Sequence, residues 1–205
     1  MARDLTPIAK QSRREGYALH PKAHKIMAKK TGIPGQHADM RAGKDGLYLT
    51  QLREKQKVRR IYGLLEKQFA KLMREASEAS GMTGENLLNF LERRADNAVY
   101  RAGFATSRRA ARQLVSHGHF LLNGHRINIP SIRLSEKDIL EVRPKSQKTE
   151  YFKNLDNILG ATGSQPLSWL KGDAKKMQIE IIGSPKREEA EVGINEQLIV
   201  EYYSR

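Results

Sequence analysis

Between Tyr48 and Ser80, "YLTQLREKQKVRRIYGLLEKQFAKLMREASEAS", apolar residues recur every three or four positions, the spacing of a helix with one buried face. With Arg53 at zero and about 100° per residue, Val58, Ile61, Tyr62, Leu65, Phe69, Leu72 and Met73 fall between about 80° and 200°. That stripe is the expected core face. Arg53, Lys57, Arg60, Lys67, Lys71 and Arg74 fall opposite it, and Lys55 and Arg59 flank it. The pattern predicts one long helix with a packed side and a cationic rail, on which carboxylates are too few to pair the cations.

"SGMTGE" then marks a stop and a new start, with Thr83 as a candidate N-cap, and "NLLNFLERRADNAVYRAGF" reads as a helix or helix pair. In "TSRRAARQLVSHGHFLLNG", residues 106–124, Ser107 reads as the N-cap of a short helix. Arg109, Arg112 and Ser116 share one face with Arg108, while Ala110, Ala111, Leu114 and Val115 share the other. Gly118 suits a left-handed helix end, "HFLL" an extended strand, and Asn123-Gly124 a type I′ hairpin turn. The returning segments "HRINIPSIRL" and "SEKDILEVRP" complete a unit of two small helices against a short sheet. Towards the end, "MQIEIIGSP" alternates as a strand, and "NEQLIVEYYSR" reads as a closing helix whose Leu198, Ile199 and Tyr202 can pack on the long one.

Charge changes this picture most. Lys+Arg 37 against Asp+Glu 23 gives +14 and a pI near 10.0, which points to a polyanionic partner. The excess is concentrated: residues 1–75 hold 18 cations against 7 acids, 76–143 hold 10 against 7, and 144–205 hold 9 against 9. The front half therefore reads as the nucleic-acid side, and the neutral end suits protein neighbours. Cations normally avoid a helix N-terminus, where the macrodipole costs exposed ones about 0.3–1 kcal/mol each. Arg108 and Arg109 sit there, and a phosphate bound between their forked donors and the free N–H groups would offset the conflict. The alternative is a pair of solvent arginines beside Glu92 or Asp96.

Other chemistry is thin. The chain has no cysteine, so disulfides and thiolate metal sites are excluded. His20, His24 and His37 lack companions at ligand spacing, and Asp96, Asp138, His117, His119 and His125 form no readable base, nucleophile or metal set. A P-loop is absent. The expectation is a binding protein without cofactor or metal. No run approaches a membrane span and the start lacks an apolar signal core, so a soluble intracellular chain with no membrane partner is expected. From Gly16 to Gly46, five glycines and two prolines interrupt a lysine-rich stretch with no sustained apolar period. It reads as an arm shaped by its partner or as a disordered tail.

"RADNAVYRAGFATSRRAARQLVSHGHFLLNG", with Pro130 and Lys137-Asp138, resembles the small RNA-binding domain named after ribosomal protein S-four. "SRREG" at 12, "PGQH" at 34, "QLREKQKVRRIYG" at 51, "TGENLL" at 83 and "INEQLIVEYYSR" at the end extend the resemblance to the bacterial or organellar S-four ribosomal protein family over essentially the whole chain. It implies an α+β fold in which the small domain is inserted into a mainly helical one. The expected divisions are an extended basic N-terminal arm (1–46), a helical body (47–90, completed by 176–205), the RNA-binding domain (91–155) and a connecting segment (156–175).

The resemblance further implies a non-enzymatic primary binder of small-subunit ribosomal RNA that nucleates assembly of the subunit body and contributes to translational accuracy with its S-five neighbour. Other implied partners are ribosomal protein S-three and messenger RNA where it enters the subunit. Location follows: the cytoplasmic ribosome, or the stroma or matrix for an organelle-encoded chain. A free RNA chaperone or RNA-modifying factor with the same small domain is the alternative. Carried over by position, the RNA-binding candidates are Arg94, Arg101, Arg108, Arg109 and Arg112 in the small domain, and Arg13, Arg14, Gln36, His37, Arg53, Lys55, Lys57, Arg59 and Arg60 beyond it. Arg41 and Lys44 are the candidates for messenger contact. Three departures stand out: the four zinc-holding cysteines of many relatives are missing, Ala38 replaces a glycine, and Ala95 replaces a leucine.

Overall fold

The computed structural model describes residues 4–30, 32–36, 46–155, 157 and 167–204. The chain divides into two compact units, one formed by residues up to Leu87 together with those from Gly193 on, the other by Leu88–Val192.

In the first unit lie α1 (Ile8–Glu15), α2 (Ala23–Lys29), α3 (Leu47–Ile61), α4 (Glu66–Glu78), the start of α5 (Thr83–Glu92) and a closing helix, here α10 (Glu196–Tyr203). Val58, Ile61, Tyr62, Phe69 and Met73 of the apolar stripe are buried, with Leu64, Ala76, Leu87 and Ile199. The single long helix predicted for 48–80 is two. Gly63 sits at φ 62°, its N–H donates to Arg60 O (3.1 Å), and Leu64 N–H donates to Arg59 O (2.9 Å), a Schellman ending that glycine adopts without a Cβ penalty. Lys67, Lys71 and Arg74 therefore belong to a different helix from Arg53, Lys57 and Arg60. α10 is capped by Asn195, whose side chain accepts from Gln197 and Leu198 N–H, and packs on α3.

Within the stretch 1–46 expected to be an extended arm, Ile8–Glu15 and Ala23–Lys29 are helical. α1 and α2 fold back with Gln11, Ser12 and Ala23 buried, because Gly16 (φ 61°) ends α1 and Glu15 reaches the cations of α3. Residues 37–45, which include His37, Ala38, Arg41 and Lys44, lie outside the described residues.

The second unit packs α6 (Ala95–Arg101) and α7 (Arg108–Ser116) with an antiparallel sheet of order β2-β1-β3-β5-β4. Its strands are β1 (Phe120–Leu122), β2 (His125–Ile127), β3 (Ile139–Val142), β4 (Leu170–Asp173) and β5 (Gln178–Ile181), with short helices α8 (Pro144–Gln147) and α9 (Glu150–Lys153) after β3. Asn123 and Gly124 both take positive φ, as a type I′ turn between β1 and β2 requires. Leu140 and Val142 of β3, like Ile179 and Ile181 of β5, point inward while Glu141 and Glu180 face out, which fixes the register Leu140↔Ile179. Phe104, Phe120, Phe152 and Trp169 fill the space between helices and sheet.

This moves two boundaries. The strand predicted within 176–205 pairs with β3 rather than completing the helical body, and β4 lies inside the supposed connecting segment 156–175. The reason is burial: β1, β2 and β3 alone would leave an open edge beside Leu140, which the β4–β5 hairpin covers. Ala95 is fully buried in this core, and its N–H donates to Ile132 O at 2.8 Å.

Candidate nucleic-acid interface

In the second unit three acids organise the arginines. Asp96, in the first turn of α6 and 3% exposed, accepts from Arg94 Nε (3.0 Å) and Nη2 (3.1 Å) and from Arg112 Nε (2.7 Å). Buried Glu92 accepts from Arg101 Nε (2.9 Å) and Nη2 (2.8 Å) and from Asn97 Nδ2 (2.7 Å). Asn97 Oδ1 accepts from Arg108 Nε (2.9 Å), and Arg108 Nη2 donates to Glu191 Oε2 at 2.6 Å while its guanidinium lies 4.6 Å above the Tyr100 ring.

Of the two cations at the start of α7, Arg108 is thus accounted for internally. Ser107 caps the helix through Ala110 N–H (3.3 Å), no acid occupies the first turn, and Glu191 supplies the negative charge from the far end of the unit. Arg109, by contrast, is exposed and makes no hydrogen bond or ion pair among the described residues.

In the first unit the α3 half of the rail is also paired. Glu15, whose side chain is fully enclosed, holds Arg60 and, at 3.4 Å, Arg53. Burial pushes its carboxyl above the usual range, opposed by Arg60 and Arg53. Lys57 Nζ meets Glu54 at 2.8 Å and donates to Gly193 O at 2.7 Å. Lys55, 3% exposed, donates to Glu66 at 2.8 Å and lies 4.5 Å from the Tyr202 ring centroid; Arg59 donates to Gln56 at 2.9 Å and stands 3.8 Å from Glu66. Burial would raise the Glu66 carboxyl, but hydrogen bonds from Lys55 and Tyr203 hold it below its ordinary value. Tyr203, half-buried and donating to Glu66, is in turn pushed up.

Two candidates are interior in this geometry. Lys55 and Arg94 (6% exposed) each stand against a carboxylate, Glu66 and Asp96. The α3 half of the rail is paired, contrary to expectation: for Arg53 and Arg60 a wheel counts only the acids of its own segment, whereas Glu15 arrives from 38 positions before Arg53.

The exposed cations lie elsewhere. Lys22, Lys25, Lys29 and Lys30, on and beside α2, are all exposed and form no ion pair among the described residues. Arg14 and Gln36 are exposed nearby in sequence, and Arg13 Nε donates to Gly32 O at 2.9 Å. α4 presents Lys67, Lys71 and Arg74, with Lys71 3.9 Å from Glu75. In the second unit His117, Arg126, Lys145 and Lys148 are exposed. Burial lowers the His119 pKa, and the neighbouring charges of His117, Arg143 and Arg126 lower it further. The α2 lysines were missed as individual sites; the charge excess of the front segment was their signal.

Residues 3–92 match the family model described as "Ribosomal protein S4/S9 N-terminal domain", and residues 93–140 match that of the S4 domain. The chain is 48% identical over 206 residues to "Small ribosomal subunit protein uS4" of Chloroflexus aurantiacus, 46% over 211 to that of Syntrophomonas wolfei, and 45% over 205 to that of Chlorobium limicola. Each alignment covers 100% of both chains. The chain belongs to the uS4 family of small ribosomal subunit proteins. It is therefore a structural, ribosome-associated RNA-binding protein and not an enzyme. In family terms, the β4–β5 hairpin lies beyond residue 140, where the match to the S4 domain ends, yet shares that domain's sheet.

Proposed function

We propose that the protein binds folded small-subunit ribosomal RNA through two groups of basic and polar residues. The first is Lys22, Lys25, Lys29 and Lys30 with Arg13, Arg14, Gln36 and His37. The second is Arg101, Arg108, Arg109 and Arg112 on α6 and α7. The observation carrying this reading is the lysine set of α2: four exposed cations without an ion pair among the described residues, in a chain of net charge +14. RNA helices hide their base edges in a deep groove, so such a surface reads phosphates, 2′-hydroxyls and junction shape. Arg53, Lys57, Arg59 and Arg60 join only where a phosphate replaces a carboxylate, and Lys55 and Arg94 hold the fold.

The same reading includes early assembly of the subunit body, contact with ribosomal proteins S-five and S-three, a part in translational accuracy, and messenger contact through Arg41 and Lys44. It places the chain on cytoplasmic ribosomes, or on those of an organelle that encodes it. Filter binding of the full chain to a transcript of small-subunit ribosomal RNA tests it. The log–log dependence of affinity on salt should steepen by about 0.7–0.9 for each phosphate neutralised. A slope near zero contradicts the reading.

A further inference from the structure

We propose that the Arg101–Arg108 pair is a phosphodiester-binding site whose resident ligand in the free chain is the chain's own Glu191, displaced when RNA docks. This rests on the RNA-binding function proposed above, but adds to it a specific competitor residue.

One oxygen serves both guanidiniums: Glu191 Oε2 lies 2.6 Å from Arg108 Nη2 and 3.4 Å from Arg101 Nη2. A phosphate oxygen held between two arginines takes the same position. Beneath this layer the partners are fixed. Glu92, 1% exposed, already engages Arg101, and Asn97, which engages Arg108, is neutral. Without Glu191, two guanidinium charges face one buried carboxylate among these residues. Removing Glu191 takes one negative charge from the pair, which one phosphodiester restores.

Glu191 is also the removable member. Its side chain is 21% exposed, and it belongs to neither helix nor strand, lying just past the 3-10 turn Arg187–Glu189 and next to exposed Val192. The base of this strap is held separately, by buried Ala190 and by Glu189, which accepts from Ser168 N–H at 2.6 Å. Turning the Glu191 side chain into water breaks no backbone hydrogen bond of a helix or strand. Asp96 and Glu15 cannot exchange this way, because they hold a buried arginine or are themselves enclosed. A carboxylate and a phosphodiester carry the same charge, so the site exchanges like for like. RNA prevails because each phosphate contact also releases condensed counterions, whereas a partly exposed ion pair contributes little.

The test compares the full chain with Glu191→Gln and with Glu188→Gln, which removes the same charge from an exposed acid of the same strap. Affinity is measured for a small-subunit ribosomal RNA transcript, with thermal melting of each protein. Glu191→Gln should tighten binding about two- to fivefold beyond Glu188→Gln, the range of a partly exposed ion pair. The gain should vanish in an Arg108→Ala background. Equal effects of the two substitutions, or weaker binding by Glu191→Gln with unchanged melting, would overturn the proposal. If Glu191→Gln melts lower, Glu191→Asp, which keeps the charge but shortens its reach, decides: binding as tight as or tighter than wild type supports displacement, weaker binding refutes it. Loss of salt-dependent binding by the wild-type chain would instead remove the RNA-binding function itself.

Discussion

Replacing Asp96 with Asn tests whether the ionic cluster of α6 and α7 is structural. Asp96 accepts two hydrogen bonds from Arg94 and is met by Nε (2.7 Å) and Nη2 (2.6 Å) of Arg112, and both Asp96 and Arg94 are buried, with side-chain exposures of 4% and 8%. Asn keeps the shape but removes the charge, leaving the Arg94 guanidinium enclosed without its counterion. Breaking a buried pair from one side costs about 3–5 kcal/mol. The Arg112 contact, with that side chain 25% exposed, adds no more than about 1 kcal/mol. Because one Asn oxygen still accepts from Arg94, the lower end, about 3 kcal/mol, is expected. Urea unfolding followed by the fluorescence of Trp169, the chain's single tryptophan and 1% exposed in the same core, reports on this unit selectively. The midpoint should fall while the slope stays constant. A loss below about 1 kcal/mol would show that Arg94 reaches water and that the pair acts as a surface one.

Gly63→Ala places a Cβ at φ 62° and should destabilise the first unit by about 1–2 kcal/mol, read as a lower melting temperature with unchanged RNA contacts. Glu66→Gln addresses pH dependence. The folded-state pKa of Glu66 is depressed, so its stabilisation is present above the ordinary 4.5 and fades as pH falls through the lower folded value. Wild type should exceed the variant near neutral pH by no more than about 1 kcal/mol, since Glu66 is half-exposed, and the two should converge in acid. A constant difference at all pH values would refute that assignment.

What the sequence disclosed was local. Ser107 capping α7, the Asn123-Gly124 turn and the alternation of β5 depend on residues within a few positions, and each was legible. The helix break was written at Gly63 but was overridden by apolar spacing that runs through it, because Leu65 and Phe69 happen to continue the stripe. β4, "LKGD", has no alternation to read and exists because β5 offers it an edge. The candidate site was legible in residue type but not in state. Arg53, Arg60, Arg101 and Arg108 were identified as cations, yet their counterions Glu15 and Glu191 come from distant chain segments. α2 was hidden for the opposite reason: seven residues between glycines and prolines carry too little periodicity to announce a helix.

The central claim is that unpaired cations, not the paired ones of α3, carry the electrostatic part of RNA binding. The most direct measurement is the salt dependence of ribosomal RNA affinity for a chain with Lys22, Lys25, Lys29 and Lys30 all replaced by Gln. The log–log slope should flatten by about 0.7–0.9 for each lysine that meets a phosphate, with melting unchanged because all four are exposed. A slope equal to that of the wild-type chain would contradict the account.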